Sequence, residues 1–401
     1  MRIATKRVSM RSESAKPAND FVPLCAPLIR GNEWKYIKEC LDTNWVSSVG
    51  SFVDRFERMV ADYVGAKHAV ATINGTAALH IALIVAGVQP NDEVLVSTLS
   101  FIAPANAVRY VGGWPVFIDA DPQYWQMDPQ KVVDFLEEDC VWQAGSLYNK
   151  ATKHRVTAVL PVHILGHPVH MDPILEAARK YNLIVIEDAT ESLGSKYKER
   201  MAGQLGDIAC FSFNGNKIIT TGGGGMIVTD CEAWADKARY LTTQAKDEPV
   251  EFIHDEIGYN YRLTNIQAAM GCAQMEQLNQ YISAKREITA TYTQMFSGVA
   301  GLDPAREAPW ARNNSWMFTV LVDESKFGMS RRDLMHRLRA ANVETRPLWQ
   351  PLHLSPAHRG SAATSCETAE RIQQTALSLP CSVGLTEGDQ KRVVECILPA
   401  R

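Results

Sequence analysis

The sequence predicts an α/β protein, with a large, mostly parallel sheet domain followed by a smaller α+β C-terminal domain. Three observations carry that expectation. The chain has 401 residues, beyond the ~250 to 300 at which a single hydrophobic core usually stops growing. Hydrophobic residues make up 46% and charged residues 21%, the balance of a folded chain rather than a disordered or fibrous one. From about residue 66 to 230, short β-rich runs alternate with helical periodicity, as strands joined by crossover helices do.

The elements follow in order. His68 to Ile73 reads as a strand and Ala77 to Val85 as a helix; Glu93 to Ser97 is a strand, Ala103 to Val111 a helix and Pro115 to Asp119 a strand. Val156 to Val162 is the next strand, followed by a helix near Pro173 to Tyr181 and strands at Leu183 to Glu187, Ile208 to Phe213 and Met226 to Thr229. Ala233 to Lys246 reads as a helix. Asn265 to Phe296 reads as one long amphipathic helix, because Ile266, Met270, Met275, Leu278 and Ile282 recur at near-helical spacing. After Gly301, a strand at Trp316 to Val322, a helix at Ser330 to Ala341 and a loop at Thr345 to Pro356 point to the smaller domain. The expected organisation is a tail over 1–20, a large domain over 21–285 and a small domain over 286–401.

Charge and cysteine usage narrow the function. With 41 Lys+Arg against 45 Asp+Glu the formal charge is -4, and no basic stripe offers the surface on which nucleic acid releases counterions. The apolar runs are too short for the ~20 residues that cross a bilayer, so neither nucleic acid nor membrane is an expected partner. Nine cysteines are scattered, odd in number and never spaced as CxxC, which argues against a disulfide framework or a zinc site and for a reducing cytoplasm. The first 20 residues carry Arg2, Lys6, Arg7, Arg11 and Lys16 without the apolar stretch of a secretion signal.

In open parallel sheets a ligand sits beyond the carboxyl ends of the strands, and four such ends carry unusual residues here. Asn74-Gly75-Thr76 precedes a helix, whose first amides and dipole favour an anion; the same composition also makes a plain helix cap. Asp188 ends a run of Leu183-Ile184-Val185-Ile186 that is expected to be buried, so its carboxylate needs a cation or hydrogen-bond donors, or else serves a turn. Ser97 to Phe101 follows the run Glu93 to Val96. Ser212, Asn214 and Lys217 follow Ile208 to Phe211, ahead of Gly222 to Gly225. The P-loop and GxGxxG spacings are absent. Taken together, a lysine able to form a Schiff base, a carboxylate for a pyridinium nitrogen and a Ser/Gly/Thr phosphate cup are the parts that pyridoxal phosphate requires.

At these residues the chain resembles the nucleotide-sugar aminotransferases of the DegT/StrS type, which share the aspartate-aminotransferase-like fold, fold type I. The likeness runs from about Val22 to Leu385. It is carried by Asn74-Gly75-Thr76-Ala77-Ala78-Leu79, Ser100-Phe101-Ile102-Ala103, Glu187-Asp188-Ala189, Phe211-Ser212-Phe213-Asn214-Gly215-Asn216-Lys217 and Gly258-Tyr259-Asn260-Tyr261-Arg262-Leu263-Thr264. The resemblance implies that Lys217 is the Schiff-base lysine and that Asp188 pairs with the pyridine nitrogen. It implies further that Gly75, Thr76 and Ser212 hold the phosphate, with Asn214 beside the cofactor and Phe101 stacked on its ring. Asn260 would reach the phosphate from the second subunit of a homodimer with shared active sites.

Three residues beyond Asp188 the family often carries Gln or His, whereas this chain carries Glu191, which adds negative charge next to the cofactor. That position and the glycine run resemble a subgroup acting on UDP-linked, acetamido-bearing 4-keto-6-deoxy sugars of the bacillosamine and legionaminic acid pathways. His163, Arg346, Trp349 and His353 are the expected substrate contacts, the last three on a loop resembling the family's substrate loop. The implied reaction moves an amino group from L-glutamate to the sugar's 4-keto carbon, with pyridoxamine phosphate formed between the two halves. A sugar dehydratase, which lacks the Schiff-base lysine, and a non-catalytic cofactor-binding regulator are the alternatives.

Overall fold

The computed structural model describes residues 21–248 and 250–398; the expected tail at 1–20 lies outside them. From one edge, the large sheet orders its strands His68–Thr72, Gly225–Thr229, Ile208–Ser212, Ile184–Asp188, Arg155–Leu160, Glu93–Ser97 and Trp114–Ile118. The run from Ile208–Ser212 to Trp114–Ile118 is parallel throughout. Val94, Leu95 and Val96 are fully buried, as strands covered on both faces must be, and this is why they read as continuous apolar runs.

Gly225–Thr229 departs from the parallel expectation. It runs antiparallel to both neighbours, because the segment from Phe213 to Gly224 contains no crossover helix and can only fold back. Phe213 N donates to Gly224 O at 2.9 Å, which extends the ladder into the turn that carries Lys217. The register sets Ser212 and Thr72 both opposite Gly225. A β-carbon on Gly225 would come within 2.5 Å of the Asn74 backbone, so only glycine lets the turn and the Asn74 loop meet.

Three elements were not legible as such. Helices Glu33–Asp42 and Ser51–Val64 lie ahead of the alternating region, and a hairpin of Cys140–Gln143 with Ser146–Asn149 hangs on Arg155–Leu160. The predicted long helix is two, Asn265–Met275 and Leu278–Met295. At the break, the Glu276 carboxylate accepts from Asn32 Nδ2 and Tyr36 Oη, both at 2.7 Å, and from Arg55 Nη2 at 2.8 Å. These bonds tie the first helix to the N-terminal pair, while Ile288 and Tyr292 of the second pack into the C-terminal core.

That core lies on a four-stranded antiparallel sheet ordered Leu302–Pro304, Phe318–Val322, Ala376–Leu379 and Arg346–Pro347. The segment read as a loop at Thr345 to Pro356 thus supplies an edge strand. Val22 also packs in this core and bridges to Val343, and residue 285 falls inside a continuous helix. No helix among the described residues is long and apolar enough to cross a membrane.

One buried carboxylate fastens the central strands. Glu187 is fully buried and accepts from His163 Nε2 at 3.0 Å and from the amides of Gly203, Leu205 and Gly206 at 2.9, 2.5 and 2.7 Å. Burial pushes its pKa up, but the bonds from His163 and the amides outweigh burial and hold it below its ordinary value. A depressed carboxyl pKa contributes stability that is present above the unfolded value and lost as pH falls through the folded one. Glu187→Gln is therefore expected to cost about 2 to 3 kcal/mol at neutral pH. In urea unfolding, the gap to the wild type should narrow as pH falls below about 4.5; a gap independent of pH would refute this assignment.

Candidate active site

The carboxyl ends of the parallel strands open onto one cavity of about 410 Å³, within the range of small-ligand sites. Five of the strands contribute residues at or just beyond their ends. Asn74, Gly75 and Thr76 follow His68–Thr72, Ser100 and Phe101 follow Glu93–Ser97, and Val162 follows Arg155–Leu160. Asp188 and Ser212 are the last residues of their strands, and Lys217 comes from the glycine-rich turn beyond Ser212.

At one end of the cavity is an anion cup. Asn74 caps helix Gly75–Val85, its Oδ1 accepting from Ala77 N at 2.8 Å. The amides of Gly75 and Thr76 come first in the helix, where no intrahelical acceptor exists, and the dipole adds to their pull on negative charge. A β-carbon on Gly75 would lie 2.9 Å from Ser212 Cβ and 3.2 Å from Thr190 Cγ2, so glycine keeps the cup open against the Ser212 hydroxyl.

Opposite charges meet at the other end. Asp188 is 2% exposed, and its Oδ1 accepts from Thr190 N at 3.1 Å. Lys217 Nζ lies 3.4 Å from Glu191 Oε1 and 4.3 Å from the centre of the Trp316 ring. Trp316 is itself held, with Nε1 donating to Asn216 O at 2.7 Å. The other Glu191 oxygen accepts from Leu165 N at 2.8 Å. Burial pushes both the Asp188 and the Glu191 carboxyls above their ordinary values, with Lys217 pulling each back down.

Two buried carboxylates thus face one ammonium, and a further cation in the cavity would relieve them. A protonated pyridine nitrogen beside Asp188 is such a cation, and the anion cup and the Lys217 amine match the rest of pyridoxal phosphate. The residues fit the group.

Of the residues singled out in the sequence, Gly75, Thr76, Phe101, Asp188, Glu191, Ser212, Asn214, Lys217 and Trp349 all line this cavity. Four stand outside its lining. His163 is fully buried behind the strand ends, with Nε2 on Glu187 and Nδ1 accepting from Val169 N at 3.1 Å; both ring nitrogens are occupied within the fold. His353 likewise bonds Thr98 Oγ1 at 2.8 Å and Glu370 at 3.0 Å. Arg346 is exposed and paired with Glu344, and Asn260 lies on the exposed segment that bridges to Thr243. Trp316 is the residue that sequence reasoning missed. It was read as the start of a strand, and nothing in its local pattern announces a ring packed on Lys217.

The DegT/DnrJ/EryC1/StrS aminotransferase family model matches residues 27–398. GDP-perosamine synthase of Caulobacter vibrioides is 41% identical over 377 residues, covering 94% of this chain and 97% of that protein. GDP-perosamine synthase of Escherichia coli O157:H7 is 38% identical over 338 residues, covering 84% of this chain and 87% of that one. Among solved structures, DesI in the presence of its TDP-sugar product superposes with a TM-score of 0.84 at 29% identity, over 95% of this chain and 93% of that chain. The chain belongs to the DegT/DnrJ/EryC1/StrS aminotransferase family, as a fold type I, pyridoxal-phosphate-dependent aminotransferase of nucleotide sugars.

Proposed function

We propose that this enzyme transfers the amino group of L-glutamate to the 4-keto carbon of a GDP-linked 6-deoxy sugar, giving a 4-amino sugar for a bacterial surface glycan. The observation that carries the aminotransferase chemistry is the Lys217 amine, held 3.4 Å from Glu191 in a cavity that also holds Asp188 and the anion cup. The choice of nucleotide departs from the UDP expected on subgroup likeness. It rests on relatives named GDP-perosamine synthase, including a third from Vibrio cholerae at 33% identity.

Bound pyridoxal phosphate supplies the electron sink through which an amino group leaves one substrate and joins the other. This chain's residues do the remaining work. Lys217 anchors the cofactor covalently and, when free, moves the proton at the reacting carbon. Asp188 keeps a proton on the pyridine nitrogen, and Gly75, Thr76 and Ser212 bind the phosphate. Glu191 and the Trp316 ring position the Lys217 amine from two sides. Phe101 and Trp349 wall the space left for cofactor ring and sugar. A dehydratase of the same family has no use for Lys217 as an anchor, which favours transamination.

The reading includes a homodimer in which Asn260 of one protomer completes the phosphate site of the other. It is supported by Asn260 standing apart from its own chain's cavity, and by Phe252, Ile253 and Ile257 exposed on the same stretch, Ile257 at 84%.

The test is a turnover screen of GDP- and UDP-linked 4-keto-6-deoxy sugars with glutamate as donor. An amino sugar and 2-oxoglutarate in equal amounts are expected, with the GDP sugar preferred. A deoxygenated ketone would mean dehydration, and preference for the UDP sugar would overturn the choice of nucleotide.

A further inference from the structure

Outside the cavity lining, behind Lys217, two sulfurs share one buried ammonium. Lys285, 1% exposed on helix Leu278–Met295, donates from Nζ to the carbonyl oxygens of Trp316 at 2.7 Å and Cys381 at 2.6 Å. The same nitrogen lies 3.5 Å from Cys25 Sγ and 3.5 Å from Cys381 Sγ. The backbones on either side are bound together. Cys381 N donates to Leu24 O at 2.7 Å, and Ala26 N donates to Ser382 Oγ at 2.8 Å. Cys381 is buried, whereas Cys25 retains partial access to solvent.

We propose that Cys25 and Cys381 form an oxidative modification site, in which hydrogen peroxide oxidises Cys25 and Cys381 resolves it to a disulfide. In the first step the Cys25 thiolate attacks a peroxide oxygen; the S–O bond forms as O–O breaks, and hydroxide leaves. In the second, the Cys381 sulfur displaces the oxygen from the sulfenic acid; S–S forms, S–O breaks, and the departing hydroxide takes the Cys381 proton as water. The two sulfurs together lose two electrons and the peroxide gains them.

Three groups from different elements favour the thiolate that starts this sequence. The neighbouring Cys381 thiol, with the Lys285 ammonium and the more distant Lys217, brings the Cys25 pKa down to about 6 against the opposing effect of burial. Burial alone would lower the Lys285 pKa, but the pull of Cys25 and Cys381 outweighs it and keeps the amine charged. The site adjoins the chemistry, because Cys25 Sγ lies 3.3 Å from the carbonyl oxygen of Asn216, the residue before Lys217.

The test uses the full chain loaded with pyridoxal phosphate. After treatment with hydrogen peroxide, blocking of free thiols and digestion without reductant, mass spectrometry is expected to find the Cys25 and Cys381 peptides joined, and dithiothreitol should separate them. This linkage should form before the exposed Cys231 is oxidised. Independently, alkylation of Cys25 by iodoacetamide should level off about two and a half pH units below that of an unstructured cysteine peptide. Cys381→Ser should leave Cys25 oxidised without a partner, which separates the two roles even if Lys285 variants fail to fold. Cys25 joined to another group in the wild type, Cys25 still reduced when Cys231 is oxidised, or an alkylation profile matching the peptide would each overturn the proposal.

Discussion

The Lys217→Ala enzyme is expected to lose at least about 10⁴-fold in turnover, since both the covalent anchor and the proton-moving group go with one side chain. Borohydride treatment should fix cofactor mass on the Lys217 peptide of the wild type and on no peptide of the variant. Lys217→Arg sharpens the test. A guanidinium keeps the positive charge between Glu191 and the Trp316 ring, so the fold and its local pairing are preserved while the chemistry is lost. If Lys217→Arg turned over at the wild-type rate, the amine would not be the anchor.

Asp188→Asn is the second large effect. The amide has nearly the same shape and still accepts from Thr190 N, but it cannot hold a proton on the pyridine nitrogen by charge. Removing one partner from a buried ion pair costs about 3 to 5 kcal/mol, so turnover should fall about 10²- to 10⁴-fold, with a smaller change in KM. The stability of the cofactor-free protein should move the opposite way. Burial raises the Asp188 pKa against the opposing pulls of Thr190 and Lys217, so the ionised carboxylate opposes folding at neutral pH while Lys217 is the cation it shares with Glu191. The cofactor-free variant should therefore melt no lower than the cofactor-free wild type. A variant that loses activity and also melts lower would show that Asp188 serves the fold instead.

The structure adds to the sequence reading at particular residues. Lys217, Asp188, Gly75, Thr76 and Ser212 were legible because each follows an apolar run, and the carboxyl ends of parallel strands converge whatever their order in the sheet. His163 and His353 also sit at a strand end or in a loop of suitable composition, yet both have their ring nitrogens occupied by neighbours from elsewhere in the chain. No local pattern reports a partner 24 or 17 residues away. The break at Glu276 is similar, since the bonds that fasten it come from residues more than 200 positions earlier.

By itself, the order of apolar runs and of the polar residues ending them determined the α/β class, the placement of the cavity and several of the residues that line it. These properties are local, set by period and by the residue that follows each strand. Only the folded chain decided that Gly225–Thr229 turns back antiparallel, that Trp316 packs on Lys217, and that Cys25, Lys285 and Cys381 share one buried charge. The first depends on the short turn between neighbouring strands and the other two on contacts between segments far apart in the chain, where burial and Coulomb interaction act through space and leave no periodic trace in the sequence.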